Sequence, residues 1–234
     1  MRGMIRNSGF VKSDILNVLK ILRSISDIDI NGFYKEAGAI DTSNAGVVSY
    51  SFDMLFRITT PPDNTYPSKP IDVKLSMEVN ENLQNNEETI EGTYMMQLFI
   101  CGLKDGKSYM CSWHLDLDPG TDRRYMHPRY HLTYGGKKMR DEIKKDADYF
   151  GLSLMLATPR LPIAPMDGIL AIDFVLNHFY KAEKISAVLN NTRYREAVKA
   201  SQKRIWAPYY RSIHEHFSGG ALAHKGKQYV PNLI

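Results

Sequence analysis

The chain has 234 residues and a mass of 26.7 kDa, enough to bury one substantial core, and its 43% hydrophobic and 24% charged content is ordinary for a globular protein. No apolar run approaches the roughly 18 residues that span a bilayer. Met1-Arg2-Gly3-Met4-Ile5-Arg6 also lacks the apolar stretch of a secretory signal, so one domain over 1–234, cytoplasmic and without a membrane partner, is expected. The net charge of +4 is a mild bias that leaves the partner open.

Ser13-Asp14 ahead of Ile15, Leu16, Val18, Leu19 and Leu22 combines a cap with i, i+3, i+4 spacing, which predicts a short helix over 13–24. A polar connection from Asn31 to Gly46 follows. From Val47 the period is two: Val48, Tyr50, Phe52, Met54, Phe56 and Ile58 alternate with Ser49, Ser51, Asp53, Leu55 and Arg57 until Pro61-Pro62-Asp63-Asn64 breaks the run. Val73, Leu75, Met77 and Val79 predict a second strand, and Asn80 to Glu91 reads as a mobile acidic loop. Tyr94, Met96, Leu98 and Ile100 alternate with Met95, Gln97 and Phe99, the pattern of a central strand, and Asp105-Gly106 then makes a hairpin turn.

The next strand sorts its side chains by chemistry. Tyr109, Cys111, Trp113, Leu115 and Leu117 take one face; Ser112, His114, Asp116 and Asp118 take the other. Tyr130, Leu132 and Tyr134 alternate with His131 and Thr133 in the last strand, stopped by Gly135-Gly136. The expected sheet is an antiparallel meander of about five strands over 47–134, with Cys101 and Cys111 serving as small buried hydrophobes.

Lys137 to Phe150 has weak helical spacing, and Leu152 to Leu156 reads as a short strand or buried connection. The proline-dense run from Thr158 to Pro165 must cross the surface extended. A helical part over 165–217 follows. It comprises an apolar core helix from Met166 to Tyr180 and a long amphipathic segment from Thr192 to His216, which Pro208 is expected to kink or divide. Ser218-Gly219-Gly220 is the stop, and 221–234 reads as a loose tail. The fold class is therefore α+β, with C-terminal helices packed on one face of the sheet and the N-terminal helix closing an edge.

Functional side chains converge on the polar face of the sheet. Alternate residues of a strand lie about 7 Å apart, so His114, Asp116 and Asp118, joined by His131 and by His127 at the strand end, are candidate ligands for a divalent metal. With an open position for water, His114, Asp116 and His131 would do hydrolytic chemistry; without metal they offer acid and base toward a phosphodiester. The plain alternative is that this face is polar because it meets water.

A second candidate is basic. Between Arg193 and Arg211 the cations Lys199, Lys203, Arg204 and Arg211 interleave with Trp206, Tyr209 and Tyr210, a pattern that suits nucleic acid; the same spacing of three and four also suits a helix with aromatic core contacts. Arg160, beside rigid prolines, is a candidate anion clamp.

The run His127-Pro128-Arg129-Tyr130-His131-Leu132 resembles the histidine-rich strand end of small prokaryotic toxin proteins from toxin-antitoxin modules. The resemblance covers only this run and carries no residue roles. It implies membership of a toxin-antitoxin or defence-type complex. Two functions follow as expectations: an intracellular accessory or adaptor protein, binding a protein or nucleic-acid partner through the basic C-terminal helical face and the exposed sheet, or a small metal-dependent, nuclease-like hydrolase built on the His/Asp cluster.

Overall fold

The computed structural model describes residues 8–23, 30–31, 40–42, 46–59, 70–85, 87–118, 127–135, 139 and 160–233. The expected break at 61–64, the weak helix at 137–150 apart from Met139, and the segments at 119–126 and 152–159 lie outside them. Helix α1 (Ser8–Arg23) begins before Ser13, because Val11 extends the buried stripe of Ile15, Val18, Leu19 and Leu22 by one turn. Ser13 and Asp14 are therefore helix interior and not a cap.

The sheet has seven strands in sequence order, each antiparallel to the next: β1 (Ile30–Asn31), β2 (Val47–Ile58), β3 (Ile71–Asn82), β4 (Ile90–Lys104), β5 (Lys107–Leu117), β6 (Tyr130–Tyr134) and β7 (Leu161–Pro162). The five long strands are the expected meander. The two-residue strands β1 and β7 were not legible in sequence, and β1, not the N-terminal helix, lines the outer edge of β2. Pairings such as Phe52 with Met77, Met77 with Met96 and Met96 with Leu115 align the apolar sets of four strands on one face. Fully burying each such side chain contributes roughly 1.5–3 kcal/mol.

Helices lie on that face. In α2 (Gly168–Phe179) the carboxylate of Asp167 accepts from the Leu170 N–H as an N-cap, so this helix starts after Met166. Gly168 permits the approach, since a Cβ there would meet Phe52 at 2.9 Å and Tyr50 at 3.1 Å. Helix α1 packs against β2, α2 and the long C-terminal helix, and α3 (Ala182–Leu189) packs against that long helix.

The long helix α4 (Thr192–Ser218) runs unbroken through Pro208 and ends at Gly219, whose φ of 72° is the left-handed cap glycine favours. Proline has no N–H, so the Arg204 carbonyl four residues earlier loses its helical partner. The Thr89 hydroxyl supplies one, donating to Arg204 O at 2.9 Å. A Thr89→Val variant is expected to lose about 1–3 kcal/mol, and far less in a Pro208→Ala background where the alanine N–H returns to that carbonyl. Urea unfolding of the four-member cycle measures the coupling; equal losses in both backgrounds would contradict it.

The tail is not loose. Helix α5 (Ala223–Tyr229) folds back onto α4 and buries Leu222 and Tyr229. The expected loop at 80–91 is also shorter and tied down: Asn82 and Asn85 donate to the Glu91 carboxylate, and Glu88 accepts from Arg129 and Tyr130.

Candidate functional site

Strand pairing sets the polar cluster. Asp116 lies directly opposite His131 and His114 opposite Thr133, so His114, Asp116 and His131 share one face, as alternation requires. Within that face the side chains sort into pairs. His114 Nε2 is 3.1 Å from Asp116 Oδ2, and His127 Nδ1 is 3.3 Å from Asp118 Oδ2. The His127 and His131 rings lie 5.9 Å apart at a tilt of 31°, bringing the two dyads together at the end of β5 and β6.

His131 is buried, and its Nδ1 sits 3.1 Å from the Pro128 carbonyl, which fixes the proton on Nδ1 and leaves Nε2 as an acceptor. Burial depresses its pKa below the ordinary 6.5; the Pro128 carbonyl and Asp116 oppose that, while the charges of Arg160 and His127 add to it. Arg160, half-exposed just before β7, is thus close enough to act on this cluster, where the sequence left it an isolated candidate.

Access is uneven. The His114 and Asp116 side chains are 20% and 37% exposed, whereas His127 and Asp118 are 7% and 10%. Only the first dyad can meet a substrate from solvent. Among the described residues no three His, Cys, Asp or Glu side chains gather as metal ligands do; the four side chains stand as two carboxylate-imidazole dyads. A carboxylate-held imidazole of this kind is a group that can transfer protons.

The basic helix divides by face. Arg193, Arg195, Lys199 and Lys203 are exposed, with Tyr210 at 56% and Phe217 at 72%. Arg204, expected beside them, points inward at 6% exposure. Its Nε donates to Glu81 Oε2 at 2.7 Å and its Nη2 to Asp167 Oδ2, both acids being wholly buried. Burial alone would lower the guanidinium pKa, but Glu81 and Asp167 more than reverse that. Arg204 therefore belongs to the interior and not to a binding face.

The other predicted binding residues divide too. The half-buried Trp206 donates its indole N–H to the Pro165 carbonyl at 2.9 Å, a structural duty; Arg211 is exposed and pairs with Glu215 at 2.6 Å one turn on. Tyr209 is buried.

Sequence reasoning missed Glu81. It sits two residues past Val79 on the apolar face, where burial raises its pKa and Arg204 opposes the rise. Tyr50 completes the group, donating its hydroxyl to Glu81 Oε1 at 3.2 Å and accepting from the Gly168 N–H at 2.8 Å. Cys101 and Cys111 are half-buried free thiols, with pKa values raised by burial.

No helix among the described residues is long and apolar enough to cross a membrane. Comparison with protein-family models, with curated proteins and with solved structures finds no match.

Proposed function

We propose that this chain is an accessory protein that binds single-stranded nucleic acid through the solvent face of α4. The exposed stripe on that helix carries the reading. Lys199, Lys203, Tyr210 and Phe217 follow one another at spacings of four, seven and seven residues, which returns all four to one side. Cations can neutralise phosphates while the two rings offer stacking surfaces to unpaired bases. Two lysines in a stripe of four favour a polyanion over a protein, because the buried core of a protein interface is depleted in lysine.

Membership of a toxin-antitoxin or defence-type complex has weaker support. It rests on the run from His127 to Leu132, where Arg129 and Tyr130 already serve Glu88, and His131 serves the Pro128 carbonyl.

Fluorescence anisotropy with a labelled oligothymidylate tests the main reading. Affinity is expected to fall steeply with salt, and Lys199→Glu/Lys203→Glu to weaken binding by about tenfold or more at low salt. Both side chains are exposed, so thermal stability should hold. Binding indifferent to ionic strength, or no binding at low salt, would overturn the nucleic-acid reading and leave a protein partner for the same face.

The half-exposed His114–Asp116 dyad, with Arg160 acting on the same cluster, favours a second reading, acid–base cleavage of a phosphodiester. The same mixtures analysed on a gel would then contain cleaved strand. That cleavage would disappear in His114→Ala.

A further inference from the structure

On the opposite side of β5 and β6 from the imidazoles lies a cavity of about 320 Å³. Its floor is Leu98, Trp113, Leu115 and Leu132 of the sheet, and Phe174 and Phe179 of α2 close over it. Met96, Ile163 and Met166 complete the apolar wall; His178, exposed, is the one titratable side chain among the described residues that line it.

The wall at 163–167 is held from several directions. Met166 gives its carbonyl to the Tyr94 hydroxyl and its N–H to the same oxygen, both at 2.9 Å, and the Pro165 carbonyl is taken by Trp206. Asp167 is fixed by Arg204 and by the α2 cap. Such a pocket is formed before any ligand arrives, as small-molecule sites usually are.

We propose that this cavity binds an uncharged two-ring aromatic molecule bearing one hydroxyl group. Size sets the ring count: a dry cavity of about 150 Å³ takes benzene with its six heavy atoms, so the same ratio gives about a dozen here. The lining selects aromatic character, since thioethers and ring edges of the kind Met96, Met166, Trp113 and Phe179 supply are favourable neighbours for a π system. A charged ligand would lose its hydration to a wall whose described residues hold no fixed countercharge.

His178 supplies the polar contact. Its Nδ1 lies 2.8 Å from the Phe174 carbonyl, which places the proton there and leaves Nε2 to accept from a ligand hydroxyl. Its ring also stacks on Phe174 at 4.0 Å, which orients it at the mouth.

The test uses 2-naphthol with the full chain. Calorimetric titration is expected to give saturable one-to-one binding, weakened by at least about tenfold in Leu132→Trp and in Ile163→Trp, which fill the cavity from two half-buried positions. A measurement on the unaltered chain guards against misfolded variants. With methyl-labelled methionine, 2-naphthol should shift the Met96 and Met166 signals and leave those of Met54, Met77 and Met110 in place. No saturable heat up to the solubility limit would overturn the proposal, as would shifts confined to other methionines or full affinity in both folded filling variants.

Discussion

Replacing Arg204 with methionine is expected to cost about 3–5 kcal/mol at neutral pH, because it strands two buried carboxylates without a counterion. Glu81 and Asp167 are both wholly buried, and the guanidinium is their shared partner. The loss should depend on pH in a definite direction. Burial already holds Glu81 above its ordinary 4.5, and Arg204 is the main influence pulling it down, so removing the cation raises it further. A carboxyl whose pKa is raised by folding favours the folded state fully below its unfolded value and loses that contribution as pH rises through the folded value. The Arg204→Met chain should therefore recover much of its deficit as pH falls toward about 5, and be weakest above neutrality. Asp14 of α1, whose pKa burial also raises against the pull of Arg204, adds to the same trend. Urea unfolding across pH measures this. A deficit constant with pH would mean that the carboxylates are not what the arginine serves.

The second large effect concerns the C-terminal helix. Tyr229→Ala is expected to cost about 3–5 kcal/mol, the range for deleting a large buried aromatic side chain. Tyr229 is 1% exposed, stacks on Tyr209 at 4.8 Å and 23°, and meets Tyr130 at 5.7 Å. Tyr130 in turn meets Tyr94 edge-on and donates to Glu88, whose other partners are Arg129 and Lys225 of α5. Helix α5 thus closes a cluster that joins β4, β6, α4 and the turn before β4. Ending the chain after Gly220 should cost at least as much as the single substitution. Denaturant unfolding decides it; a change within about 0.5 kcal/mol would return the segment to the loose tail its composition suggests.

The sheet was legible because strand periodicity is local: Val48 through Ile58 and Val73 through Val79 declare their buried face without reference to anything distant. The shared side of His114 and His131 followed from the same rule. The division of α4 was not legible in the same way. Lys203 and Arg204 are neighbours of like charge, and what distinguishes the inward one is a pair of distant carboxylates, Glu81 on β3 and Asp167 ahead of α2. Glu81 itself continued the buried phase of its strand. Read as an acid that must face the interior, it would have called for a cation elsewhere in the chain. The tail misled because Ala223–Tyr229 is too short to announce an amphipathic helix, and its burial depends on Tyr130 and Tyr209 arriving from other elements. The polar cluster was found, but its division into dyads depends on side-chain rotamers that strand alternation does not specify.

The claim on which the functional reading depends is that α4 has two faces with separate duties, one holding the interior together and one free for a polyanion. Arginine- and lysine-directed labelling of the full chain, read by mass spectrometry with and without oligothymidylate, tests both at once. Arg204 should resist modification in either condition, while Lys199 and Lys203 label readily in the free chain and are protected by the oligonucleotide. Arg204 reacting as fast as Arg193, or lysines that label identically with and without the strand, would contradict the account.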